Sequence, residues 1–342
     1  MVVLGHTFLH RNTALPDWIE AILFQGPLGV QIFFVLSGFL ITGILLEEKE
    51  KKGRVDLRRF YWRRFFRIIP ASYLYLAVIS VLSAAGAIAV SWNFLLTAFL
   101  YVLNYQILWD TPSAGYWYVG HFWSLCIEQQ FYLLWPFALN RIPNAKAEKA
   151  LIALILLMPF IRALSYYLFP VARGQLGMMF HTGGDAIFIG SLTAMLARRH
   201  PACRERIAGA PWPIALVLGT ILFAGSPLAN DLLGGVWRLG LARTVNGALA
   251  AFLMLWSVEN SRSLFGRFLN TRLMVYIGTI SYGIYLWQQL FVADAPKKSL
   301  PVLGLGIAGT LAVAMASFHL FERPLMMYGR RKMAGDSEGS PR

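Results

Sequence analysis

The chain has 342 residues, of which 57% are hydrophobic and only 14% charged. An average soluble domain carries roughly 25% charged residues, so this composition excludes a single water-soluble core and points to an integral membrane protein. The net charge of +14 would suggest a nucleic-acid partner in a soluble protein, but here the positive residues fall between apolar runs. That placement is the mark of membrane orientation, and it removes nucleic acid from the expected partners.

A helix needs ~20 apolar residues to cross the hydrocarbon core. The first apolar run, 1–9, is too short to do so, and no positive leader or small-residue cleavage site makes it a signal peptide. Charge-free runs follow at 27–46, 68–90 and 273–293, and runs with one or two polar interruptions at 117–139, 150–170, 184–197, 210–229, 236–258 and 300–321. The expectation is an all-α polytopic integral membrane protein with about ten transmembrane helices, the first of them truncated. One transmembrane domain covers 1–334, and 335–342 form a polar C-terminal tail.

Basic loops set the predicted topology. The densest runs from Lys49 to Arg67, and smaller groups lie at Arg141/Lys146/Lys149, Arg198/Arg199/Arg204/Arg206, Arg262/Arg267/Arg272 and Arg323/Arg330/Arg331/Lys332. The positive-inside rule places these in the cytoplasm, with the C-terminus on the same side of a cell (inner or cytoplasmic) membrane. Lys297 and Lys298 are the main exception. If 92–109 crossed, every later basic loop would be inverted, so this segment is expected to be re-entrant or interfacial; its Trp92, Asn93, Asn104, Tyr105 and Trp109 suit a boundary.

Ionisable groups inside spans cost about 2.5–3.5 kcal/mol on insertion scales, so each is a candidate for function. These are His6, His121, Glu128, Arg162, Asp185, Arg238, Arg243 and His319. Each also has a structural reading, in which it pairs with a neighbour or marks a helix end. Helical spacing puts His121, Ser124, Glu128 and Tyr132 on one face, which must turn inward to line a proton path, a solute path or an active site. Arg58, Arg59, Arg63, Arg64 and Arg67 precede Pro70 and are suited either to phosphates or to topology and anionic headgroups. Cys126 and Cys203 offer neither a disulfide framework nor metal-ligand spacing, and no metal is expected.

Three stretches come in a telling order: 29–41 with Phe33, Phe34, Ser37, Gly38 and Phe39; 63–70 with Arg63, Arg64, Arg67 and Pro70; and 122–132 with Phe122, Trp123, Ser124, Glu128, Gln130 and Tyr132. Together with Gly5-His6, Ser281-Tyr282-Gly283 and Phe321-Glu322-Arg323-Pro324, they resemble the successive signatures of the acyltransferase-3 family of membrane O-acyltransferases. The resemblance implies transfer of an acyl group, usually acetyl, from cytoplasmic acyl-CoA as co-substrate to a hydroxyl of a carbohydrate or glycolipid acceptor, with no permanently bound cofactor. It also implies that His6 is the general base and Glu128 its acidic partner, the two acting as one unit. Arg63, Arg64 and Arg67 would hold the donor phosphates, and Ser37, His121, Trp123, Ser124, Tyr132 and Tyr282 would line the acceptor site or pathway.

Two departures from that pattern stand out. The family's arginine upstream of the histidine has no counterpart before His6, and Gln288 stands where a histidine is often found, so Gln288 is given no catalytic role. The chain ends soon after Pro324, which leaves the appended extracytoplasmic domain of the fused members unexpected. A solute transporter, with Arg243 and Asn246 on its pathway, and an inactive structural subunit are the competing readings; internal repeats that would favour the transporter are not evident. Because 1–9 reaches only about half of a ~30 Å core, an in-frame upstream extension is expected. Intact mass of the natively expressed N-terminus checks it: residues before Met1 are the expected outcome.

Overall fold

The computed structural model describes residues 1–8, 19–20, 22, 25–108, 110, 114–292 and 300–338; Trp109, Lys297, Lys298 and 339–342 lie outside them. The described residues are helical throughout, with no strand. The helices are α1 Val2–Phe8, α2 Gly26–Lys52, α3 Leu57–Ala84, α4 Trp92–Phe99, α5 Phe122–Arg141, α6 Asn144–Leu168, α7 Asp185–Arg199, α8 Trp212–Asn230, α9 Trp237–Glu259, α10 Arg272–Phe291, α11 Leu300–Ser317 and α12 Arg323–Glu338. Helix α12 continues into the stretch read as a polar tail.

Local chemistry sets the helix ends. Pro27 opens α2, where its missing N–H costs nothing, and Gly53 at φ 74° closes it in the left-handed region. Asp56 caps α3 by accepting from the Arg59 N–H at 2.9 Å. A π-helical turn, Phe318–Glu322, joins α11 to α12, making one apolar stretch Gly304–Met333.

Six helices among the described residues are long and apolar enough to cross a membrane: α2, α3, α6, α8, α9 and the α11–α12 stretch. This fits a polytopic membrane protein, although length and apolarity do not by themselves give the expected ten. Helices α5 and α10 have 20 residues each, a rise of about 30 Å, but both carry the polar side chains of the interior. The surface is apolar where a soluble protein's would be polar. On α6, Leu156, Phe160, Leu164 and Leu168 recur every fourth residue and are exposed, Phe160 by 73%, while Arg162 and Ser165 of the same helix are buried.

Helix α2 runs through the core. It meets α7 at Gly38 and Gly190, whose absent side chains leave room for the Ile187 and Val35 carbonyls; a Cβ at either glycine would strike backbone. Such close approach is how small residues drive helix association in lipid. Trp135 of α5 donates to Thr42 of α2 at 2.8 Å, fixing the third helix of this group.

The run 117–139 is not one helix. A short helix, Trp117–Gly120, ends at His121, and α5 starts at Phe122. The His121 N–H reaches the side-chain oxygen of Gln289 at 3.3 Å, so a partner from α10 serves the break.

The basic loops converge on one end of the bundle. Lys49 donates to the Leu139 and Ile142 carbonyls, Arg198 pairs with Glu50, Arg199 with Glu148, and Arg204 with Glu259. The alternation of basic and non-basic connections is therefore a spatial fact among these residues.

Segment 92–108 leaves the opposite end and turns back toward it. Helix α4 has eight residues, about 12 Å of rise, and the chain then turns at Tyr101, a tyrosine at φ 55°. The Tyr101 hydroxyl lies 2.5 Å from Ser72 Oγ, and Asn104 and Gln130 exchange amide hydrogen bonds at 3.0 and 3.2 Å. Gly115 packs onto the Ala89 carbonyl, so the two flanks of the segment meet at one level. Single cysteines at Ala87 and Asp110, in a background with Cys203 replaced by serine, are expected to react with an impermeant maleimide from the same side. Labelling from opposite sides would contradict this path.

Candidate functional site

A file of polar side chains runs through the interior between the basic end and the end where α1 lies. At the basic end, Arg64 stacks over the Phe60 and Tyr132 rings, 5.7 and 5.6 Å from their centroids, with its Nε buried and unbonded. Arg63 is 3.8 Å from Glu48. Beside them opens a cavity of about 630 Å³, in the range of small-molecule sites, lined by Arg67, Tyr282, Glu322, Arg323 and Arg330 among others. An adjoining cleft of about 120 Å³ carries Arg63, Arg64, Arg67 and Arg330. The π turn before α12 presents Glu322, whose Oε1 accepts from Ser317 at 2.8 Å.

Deeper in the bundle, Glu128 is 4% exposed. Its Oε1 accepts from Ser37 of α2 at 2.7 Å and from Tyr132 one turn along its own helix, and the two hydroxyl oxygens are 2.5 Å apart. Tyr282 of α10 donates to the Ile68 carbonyl at 3.0 Å, bracing α3 three turns into its length against the same interior. Trp123 packs edge-on against Phe34, 6.1 Å between centroids.

Towards the far end, Ser124 and Tyr285 hydroxyls lie 2.6 Å apart and both reach the His121 carbonyl. His121 is held by Gln289, whose Oε1 is 2.5 Å from Nδ1 and also accepts from the His121 backbone N–H. An amide oxygen only accepts, so Nδ1 carries the proton and the bare nitrogen is Nε2, which is buried without a partner. Trp117 donates to the Gln289 carbonyl at 2.9 Å. His6 stands edge-on to that Trp117, with centroids 5.5 Å apart, its Nδ1 buried and unbonded; Gln288 Oε1 is unbonded as well.

The stripe His121, Ser124, Glu128, Tyr132 does face inward, but it serves two clusters. His121 and Ser124 belong with Tyr285 and Gln289; Glu128 and Tyr132 belong with Ser37 and Arg64. His6 and Glu128 share no hydrogen bond among the described residues. His121 marks the level of Trp117 and His6, and Glu128 lies seven residues farther along, about 10 Å of helix rise. Arg63, Arg64 and Arg67 are brought together at the basic end as anticipated in sequence. Gln289, Tyr285, Arg323 and Arg330 were not singled out as site residues. The adjacent polar pair Gln288-Gln289 at the end of an apolar run was the available signal.

The acyltransferase-3 family profile, described as an acyltransferase domain, matches residues 1–319. Among relatives, the peptidoglycan O-acetyltransferase OatA of Listeria monocytogenes is 28% identical over 336 residues, covering 89% of this chain and 52% of that protein. The O-acetyltransferase OatA of Staphylococcus aureus is 26% identical over 368 residues, covering 97% of this chain and 57% of that protein. The chain thus spans about half the length of these relatives. No solved structure matches it. With the profile running through His6, the Arg63–Arg67 stretch, Glu128 and the late Tyr282 helix, the chain belongs to the acyltransferase-3 family.

Proposed function

We propose that this protein is a membrane-embedded O-acyltransferase that moves an acetyl group from acyl-CoA, bound at the basic end, to a hydroxyl of a carbohydrate presented at the His6 end. The single observation that carries this reading is the file of polar groups linking a large arginine-lined cavity to a pair of histidines with unbonded ring nitrogens. The positive-inside rule makes the basic end cytoplasmic, where acyl-CoA is available. The names of the relatives support acetyl as the acyl group and a cell-wall glycan as the acceptor.

In the reaction the acceptor hydroxyl gives its proton to His6 as its oxygen bonds the acyl carbon; the carbon–sulfur bond then breaks, and the coenzyme A thiolate regains a proton. His6 suits the role because its Nδ1 is unbonded in a site that water-exposed groups do not share. Gln289 and Tyr285 hold His121 beside it as a positioning group. Glu128, Ser37 and Tyr132 belong to the donor side, close to Arg64, rather than to the base.

A transporter would also have an interior polar file, but the family match favours chemistry over passage. Transfer of acetyl from labelled acetyl-CoA by the purified chain decides between them, and its absence in a well-inserted sample would overturn the reading. His6→Ala is expected to lose on the order of 10²–10⁴-fold in transfer rate while retaining donor binding. Glu128→Gln is expected to add a separate loss, so that the two effects multiply in the double variant, as for groups that do not act as one unit.

On the donor side, Arg67→Gln, Arg323→Gln and Arg330→Gln are expected each to raise KM for acetyl-CoA severalfold with little change in the acceptor dependence, because their contacts are remote from the reacting carbonyl. Arg63→Gln and Arg64→Gln fall in the same class. Unchanged donor dependence in all five correctly inserted variants would remove the phosphate role.

A further inference from the structure

A second charged cluster lies inside the bundle, apart from the polar file. Arg162 of α6, 1% exposed, donates from Nε to the Leu239 carbonyl at 2.6 Å, from Nη1 to the Thr182 carbonyl at 2.7 Å and to Asp185 at 3.2 Å, and from Nη2 to the Gly240 carbonyl at 2.9 Å. The π-helical turn Val236–Leu241 supplies two of those carbonyls, since widening the helix releases them from their usual partners. Asp185, fully buried, also accepts from Thr244 at 2.9 Å on the same Oδ2. Arg162 is therefore well satisfied, with four of its five N–H donors hydrogen-bonded.

Arg243 is not. Its side chain is only 14% exposed, yet its five N–H donors make a single long hydrogen bond, 3.3 Å from Nη2 to the Gly183 carbonyl. Its Nε is buried and unbonded, 3.7 Å from Asp185 Oδ1, which is itself unbonded. Asn246, three residues along α9, has a buried, unbonded Oδ1. The guanidinium lies against Gly177, where a Cβ would come within 2.5 Å of Nη1, so the backbone makes space for this side chain. Two guanidiniums against one carboxylate leave one positive charge without a partner among the described residues. A buried cation in that condition is costly unless an anion joins it.

The cluster lies at the end opposite the basic loops, as does His6. Asp185 begins α7, whose other end pairs with Glu50, and Arg243 lies near the start of α9, whose other end pairs with Arg204.

We propose that Arg243 receives an anionic group, a carboxylate or phosphate, of the carbohydrate acceptor, with Arg162 and Asp185 as positioning residues; this rests on the acyltransferase reading above. The guanidinium fork suits such a group, and neutral sugar chains would be taken less well.

The test uses the full chain in nanodiscs of neutral phosphatidylcholine, which offers no anionic headgroup. Calorimetric binding is compared for tetra-N-acetylchitotetraose and for the same oligosaccharide oxidised at C6 to carry carboxylates. The oxidised probe is expected to bind about tenfold tighter or more, with the preference shrinking as salt rises. Arg243→Gln should abolish that preference while leaving acetyl-CoA binding unchanged, and Asn246→Asp should weaken it by placing a repelling charge beside the guanidinium. Equal or undetectable binding of the two probes by the unaltered protein overturns the proposal, and so does a preference that survives in Arg243→Gln. Because binding is read without turnover, a carboxylate preference in a protein that transfers no acetyl upholds this site and overturns the acyltransferase reading instead.

Discussion

The close approach of α2 to α7 is the constraint on which the interior arrangement depends. Gly38 and Gly190 let two helix backbones meet without intervening side chains, and Ser191 Oγ adds a 3.4 Å contact to the Gly38 carbonyl. With Gly38 fixed against α7, the residue before it is turned roughly 100° around α2. That residue is Ser37, and the turn brings it to Glu128 and Tyr132 of α5. Any larger residue at Gly38 would part the helices and rotate or displace Ser37, so the packing contact and the polar cluster are one feature. In lipid this matters more than in water, because apolar burial alone does not hold helices together.

A membrane interior makes unpaired polar atoms costly, and the distribution of paired and unpaired atoms sorts the buried polar residues into two kinds. Arg162 has found partners from three segments, and Glu128 from α2 and its own helix, and both brace the bundle. His6 Nδ1, His121 Nε2, Gln288 Oε1, Arg243 Nε and Asn246 Oδ1 have not. All five belong to the half of the bundle away from the basic loops, whereas Arg64 Nε and Glu48 Oε2 are unbonded at the basic end. Their unmade bonds are what a carbohydrate, rich in hydroxyls, is equipped to satisfy.

The membrane class, the individual apolar helices and the clustering of basic loops were legible in the sequence, because each follows from composition within a single segment. Helical periodicity also found the inward face of α5. It could not say which level of that face meets which neighbour: His121 meets Gln289 of α10, while Glu128, seven residues along, meets Ser37 of α2. The break at His121 was hidden because the residues around it are as apolar as a continuous span; what ends the short helix is a side chain 168 positions away, Gln289. Arg323 and Arg330 were read as topology signals, and only the packing of α12 beside Arg67 shows that they also line a cavity. The Arg243 cluster, too, needed the π turn at Val236–Leu241, for which apolar sequence carries no mark.

The two ends of the site impose a condition on the donor. Arg64 reaches the level of Tyr132, and His6 the level of Trp117 and His121; from His121 to Tyr132 is eleven residues of helix, roughly 16 Å. A donor anchored by its phosphates in the arginine-lined cavity therefore meets a base at the far end only if its long thioester-bearing arm lies extended through the bundle. Between the two levels lie the hydroxyls of Ser37, Ser124 and Tyr285 and the Glu128 carboxylate, while Tyr282, bonded to the Ile68 carbonyl, lines the arginine-rich cavity. Glu128 then has a reason to lie apart from His6. Tied by Ser37 of α2 and by Tyr132, over which Arg64 stacks, it joins α2 to α5 at the level of the basic end. Under the proposed acyltransferase reading it is the acyl group, not the acceptor, that crosses from one end of the protein to the other.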